Sequence, residues 1–255
     1  MLLEQLVFGF QKLLGDCLEG MYLHGSLTFG CYHRGRSDID FLAAVKTEPE
    51  QETKAALLRF LLQLEQEAPI KGLEMSLVLS VHCRKFLYPT PYVLHYSPMH
   101  RKACQEDLEG YCAKMKGTDK DLAAHFTVTR KHGITLFGMP AASFFQEVPR
   151  ECYLDSIFYD LENAAEEIRE NPYSVILNLC RGAAAAEEGQ VLSKEQGGLW
   201  GISRLPRKYR DLIQAALQEY RTGEKGRTDQ KEQLLFCSYM QERLKPFQIK
   251  KKKDQ

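Results

Sequence analysis

Gly25-Ser26-Leu27-Thr28-Phe29-Gly30-Cys31-Tyr32-His33-Arg34-Gly35-Arg36-Ser37-Asp38-Ile39-Asp40 follows a short apolar run, Met21-Tyr22-Leu23. It leads into a second apolar run, Phe41-Leu42-Ala43-Ala44-Val45. The two runs predict strands, and the segment between them predicts a turn. Residues two apart on a strand project to the same face, roughly 7 Å apart along the chain. Asp38 and Asp40 therefore converge, and two carboxylates so placed can share a hard cation or a close pair of cations. The Gly25-Ser26 turn can offer backbone N–H groups and the Ser26 hydroxyl to phosphate oxygens. An isolated Asp-x-Asp is commonly the solvated face of an edge strand. Here it follows Gly-Ser, has Ser37 directly before it and opens a strand of buried type, which points to metal-dependent nucleotidyl transfer.

The bulk composition is compatible with that chemistry and excludes others. The chain has 255 residues, 44% of them hydrophobic, enough for one large domain or two modest ones. Formal net charge is zero, with 34 basic and 34 acidic residues. That disfavours general nucleic-acid binding, which needs a basic footprint; a single triphosphate needs only a local cluster of cations. The eight cysteines are scattered with no Cys-x-x-Cys pair, so neither a zinc site nor a redox pair is expected. Glu4 and Lys12 interrupt any signal-like run at the start, and no stretch of about 18 apolar residues predicts a membrane span. A reduced, cytoplasmic compartment and a monomer are expected.

Outward from the motif, apolar periodicity predicts a helix over residues 2–19 and another over 54–66. A strand is predicted over 74–81, with Met75, Leu77, Leu79 and Val81 on one face and Glu74 on the other. Residues 84–117, rich in Tyr and Pro, read as an irregular connector. Helices follow over 121–132, 149–170, 173–188, 206–220 and 230–244. Ser193 with Gln196 forms a capping-box signature for one more. The predicted class is α+β. A small mixed sheet with helices occupies 1–118 with its connector, a helical bundle 119–246, and a basic tail 247–255.

Nucleotidyl transfer also needs a group to accept the proton of the attacking hydroxyl, and cations for the leaving pyrophosphate. Glu74, heading the third strand, is the candidate third carboxylate and general base. Lys194, in the first turn of the capped helix, and Arg181 are candidate phosphate cations. Arg34 and Arg36 in the loop are either phosphate contacts or solvated. His95 and His100 bracket a proline-containing loop with no carboxylate partner, a poor metal pattern.

These residues resemble the nucleotidyltransferase superfamily, whose simplest form is the polymerase-beta-like fold. The second half narrows the likeness. Asp119-Lys120-Asp121-Leu122-Ala123, Leu177-Asn178-Leu179-Cys180-Arg181, Glu188 to Lys194 with Trp200, and Leu205-Pro206-x-x-Tyr209 resemble the helical domain of aminoglycoside adenylyltransferases. The likeness runs in order from about residue 5 to 245. It implies that Asp38 and Asp40 hold Mg²⁺ and that Glu74 is the base. It also implies that Ser26 and Ser37 contact ATP phosphates, and that Asp121, Arg181, Lys194 and Tyr239 hold ATP once two domains close on it. The implied partners are ATP and a small cationic, hydroxyl-bearing acceptor. Streptomycin-modifying members use a tryptophan in the connector; this chain has only Trp200, with Tyr88, Tyr92, Tyr96 and Tyr111 in or beside the connector. The acidic drug-binding patch falls near Glu166, Glu167 and Glu170, with Asn171 where the family has aspartate. The alternatives are a different small acceptor, or a non-catalytic nucleotide-binding module acting on a protein partner.

Overall fold

In the computed structural model, which describes residues 2–67, 71–226 and 228–248, the two apolar runs flanking the motif are adjacent antiparallel strands. β1 (Leu18–His24) is preceded by α1 (Leu2–Leu14), and β2 (Ile39–Val45) follows the loop. A crossover through α2 (Gln51–Leu64) leads to β3 (Leu73–Leu79), parallel to β2. A central parallel strand is buried on both faces, so β2 is a nearly unbroken apolar run.

The segment expected to be irregular is ordered instead. The strand expected over 74–81 ends at Leu79 and passes into α3 (Ser80–Arg84), after which come β4 (Thr90–Tyr92), β5 (Leu94–Tyr96), α4 (Arg101–Glu106), α5 (Leu108–Lys114) and β6 (Gly117–Asp119). The segment's anchor is Glu65, just past α2, whose carboxylate accepts from Tyr96 Oη at 2.6 Å, Arg101 Nε at 2.8 Å and the Leu73 amide at 3.3 Å. These contacts are 8 to 36 residues apart in sequence, which is why local propensity did not show them. Then come α6 (Leu122–His132), β7 (Ile134–Gly138) and α7 (Ala141–Phe144).

The five-stranded sheet has the order β5-β3-β2-β1-β7. One face packs on α1 and α2 through Met21, Leu23, Phe41, Ala43, Met75 and Leu77, with Phe10 edge-on to Phe41 at 5.6 Å. On the opposite face Tyr22 packs against Phe144 and Phe145, and Phe126 of α6 joins them.

Two compact units result, Met1–Val148 and Pro149–Gln255. The boundary falls 30 residues beyond the expected one, between 148 and 149 rather than 118 and 119, because β7 pairs with β1 and α6 belongs to the first unit. The second unit holds α8 (Arg150–Asp160), α9 (Ala164–Glu167), α10 (Pro172–Glu188), α11 (Lys194–Arg204), α12 (Arg210–Thr222) and α13 (Gln230–Leu244). The single helix expected over 149–170 breaks after Asp160, where Leu161 turns onto Gly182 of α10 and tertiary packing overrides propensity. Both hydrogen bonds of the Ser193–Gln196 capping box form, at 3.0 and 3.1 Å. Gly197 lets α11 press against the backbone of Arg181 on α10; a Cβ there would lie 2.8 Å from the Arg181 nitrogen. Among the described residues no helix is long and apolar enough to cross a membrane. The lysines at 250–253 lie outside the described residues.

Candidate active site

Register builds the site. His24 of β1 stands opposite Asp40 of β2, and Asp40 opposite Glu74 of β3. Side-chain alternation puts this row on the face away from α1 and α2, since its neighbours Leu23, Phe41 and Met75 belong to the core. Asp38 enters two residues before Asp40. Carboxylate oxygens of Asp38, Asp40 and Glu74 all lie within 4.8 Å of one another, the one such group among the described residues. Three partly buried carboxylates this close repel one another, and their site is shaped for a hard cation.

The loop before β2 completes the cradle. Gly25 has φ +69°, and a Cβ there would collide with the Asp40 carboxylate. The chain can turn this tightly only at glycine. The Ser26 Oγ is buried with no hydrogen-bond partner. Cys31 N–H donates to the Ser26 carbonyl at 3.1 Å and closes the turn. Ser37 is spoken for: its Oγ accepts from the His33 amide at 3.1 Å and staples the loop. Gly25→Ala is expected to cost about 1–3 kcal/mol through backbone strain. It should also displace Asp40, giving a lower unfolding temperature together with lost activity; an unaltered melt would show that the turn is not fixed by Gly25.

The charges around the row are arranged in opposition. Burial raises Glu74 above the usual carboxylate range; His125 pulls it back, while Asp38, Asp121 and Asp119 push it further up. Burial works against charge on His125, yet Asp121, Glu74 and Asp40 overcome it and hold His125 up at about 10. His24 is driven well below the ordinary histidine range, first by burial and then by His125, with Asp121 opposing. The two rings lie 4.7 Å apart. These surroundings favour the neutral form of His24 and the protonated form of His125. Sequence reading missed both: His24 was legible as the residue closing β1, one before Gly25, but His125 reaches the row only through the packing of α6.

Asp121 heads α6, in the first unit with the acidic row. Arg181, Lys194 and Tyr239 lie in the second unit. There Arg181 sits 3.8 Å from Asp160, Lys194 opens α11, and the Tyr239 hydroxyl accepts from Arg243 at 2.8 Å. Arg243 in turn forms a two-pronged pair with Glu187 at 2.5 and 2.9 Å. His95 bonds Ser76 Oγ through Nδ1 at 3.0 Å and packs on His100; neither joins a metal-ligand group among the described residues.

The family model for the C-terminal domain of aminoglycoside adenylyltransferases matches residues 143–243. An aminoglycoside (3'')(9) adenylyltransferase of Escherichia coli is 26% identical over 231 residues, covering 88% of this chain and 86% of its own. Over those residues the chain is similar to the aminoglycoside adenylyltransferases. A spectinomycin 9-adenylyltransferase of Staphylococcus aureus is 27% identical over 211 residues, covering 83% of this chain and 81% of its own. The spectinomycin adenyltransferase of Enterococcus faecialis, solved with ATP and spectinomycin, shares the fold. Its TM-score is 0.82 at 18% identity, over 96% of this chain and 98% of that one. The buried Trp200 is part of the second unit's packing. Of the tyrosines in and around the connector, Tyr96 and Tyr111 are consumed by hydrogen bonds to Glu65 and to the His95 carbonyl. Tyr88 and Tyr92 keep part of their surface exposed.

Proposed function

We propose that this protein transfers AMP from ATP to a hydroxyl of an aminoglycoside or aminocyclitol antibiotic, releasing pyrophosphate. The observation that carries the reading is the acidic row, Asp38, Asp40 and Glu74 within 4.8 Å, beside an unpartnered Ser26 hydroxyl. The named activities of the relatives support the acceptor class. Three carboxylate donors suit Mg²⁺, which takes a few protein oxygens and completes its shell with phosphate and water. Bound there, Mg²⁺ supplies charge neutralisation on the triphosphate.

The chain's own groups do the rest. The acceptor oxygen forms a bond to the α-phosphorus, and the bond from that phosphorus to the pyrophosphate oxygen breaks. Glu74 takes the hydroxyl proton, a task its raised pKa suits. Ser26 and Ser37 face the phosphates, with Ser37 exchanging or sharing its hydrogen bond to His33. Arg181 and Lys194 take up the charge of the leaving pyrophosphate, and Asp121 and Tyr239 hold the nucleotide. With Trp200 buried, stacking on the acceptor falls to the part-exposed Tyr88 or Tyr92. The complete carboxylate set argues for an enzyme over a binding module. All eight cysteines are free thiols, in keeping with a reducing compartment.

A panel of aminoglycosides and aminocyclitols, incubated with purified protein, Mg²⁺ and labelled ATP, tests the reading. Pyrophosphate release and a labelled drug are expected with at least one member. ATP binding with no release across the panel would move the acceptor outside this class.

A further inference from the structure

We infer that His125 is a positioning residue for the nucleotide, holding the Asp121 carboxylate in place from within α6; this rests on the proposed function, in which Asp121 holds ATP. Asp121 is the N-cap of α6, where an aspartate ordinarily accepts a hydrogen bond from the helix's own first N–H groups. Its side chain makes no such cap. The carboxylate turns instead to His125, four residues on, with Nε2 to Oδ2 at 3.2 Å. The Asp121 amide is fixed separately, donating to Asp119 Oδ1 at 2.9 Å. Asp119 thus serves an amide at the start of α6, and the Asp121 carboxylate, in helical rather than cap geometry, is left to pair with the histidine.

His125 is itself clamped. Its ring lies against His24, only 5% exposed and in register with Asp40 and Glu74. Its Nδ1 is buried with no hydrogen-bond partner, so the imidazole's hydrogen bonding is directed through Nε2 to Asp121. One side chain thus links the row that bears the chemistry to the carboxylate at the head of α6. Glu74 and Asp40 lie within its electrostatic reach. His125 touches no reacting atom in this account; it acts through Asp121.

The test is a double-mutant cycle read on nucleotide binding and on the split between KM for ATP and kcat. His125→Ala should weaken ATP binding about tenfold or more, the loss typical of a charge-assisted hydrogen bond, and raise KM for ATP more than it lowers kcat. His125→Gln, whose amide nitrogen replaces Nε2, should recover most of that loss. In an Asp121→Ala background, His125→Ala should add nothing. Equal effects of His125→Ala with and without Asp121, or no recovery by His125→Gln in a protein that melts like wild type, would overturn the inference. If His125→Ala does not fold, His125→Asn, whose amide stops short of Asp121, takes its place in the cycle. A wild type that binds no ATP would sink the functional reading and this inference together. A wild type that binds ATP, with variants that bind equally well, would sink this inference alone.

Discussion

Asp40→Asn should lower AMP transfer by about 10²–10³-fold, the scale seen when one preorganised electrostatic contributor is removed. Asp40 stands in the middle of the row, opposite His24 on one side and Glu74 on the other, with Gly25 shaped around its carboxylate. Asparagine keeps the volume and loses the charge. Removing it also relieves repulsion, since two ionised carboxylates at such separations cost about 3 kcal/mol at an effective dielectric of ~20. The variant should therefore melt no lower than wild type while losing activity, a pairing typical of strained active sites. Pyrophosphate release and thermal melting on the same preparation check both halves. Activity near wild type would remove Asp40 from the metal set, and a large drop in melting temperature would make its role structural.

Glu74→Gln should separate binding from transfer. Glutamine fills the same space but cannot take the acceptor's proton, so transfer should fall by about 10²–10⁴-fold. ATP affinity should stay within about threefold if Glu74 acts mainly on the transition state. The pH profile gives a second reading. A base must be ionised, so activity rises with pH through its pKa. Burial, with Asp38, Asp121 and Asp119 against His125, raises that pKa above the usual carboxylate value. The acid limb of the wild-type profile should accordingly lie above an ordinary glutamate's, and the residual activity of Glu74→Gln should lack it. Lost ATP binding in this variant would assign Glu74 to binding instead of proton transfer.

The acidic row was legible because its information is local. Asp40 lies on β2 with Asp38 two residues ahead of it at the strand's entry, and Glu74 opens the next apolar run in parallel register. Helices with strong periodicity or caps were legible too: α13 coincides with its expected range, and the Ser193 box forms as read. What failed depends on contacts distant in sequence. The connector is organised by Glu65 reaching Tyr96 and Arg101. The domain boundary moved because β7 returns to pair with β1, and its five residues carry no signal that names that partner. His125 was invisible for the same reason: nothing near it announces that α6 will lay its ring on His24. Resemblance supplied Asp121, and only the structure supplied the histidine that holds it.

In the function proposed above, Asp38 and Asp40 seat the metal of a nucleotidyl transfer site and the adjoining Glu74 carboxylate serves as its base. Crystals grown with a non-hydrolysable ATP analogue and Mn²⁺ in place of Mg²⁺ test it most directly, through the metal's anomalous signal. A peak is expected at bonding distance, about 2.0–2.2 Å, from carboxylate oxygens of Asp38 and Asp40, with Glu74 beside it and Ser26 Oγ on a phosphate oxygen. Bound nucleotide with the metal seated away from this row would contradict it.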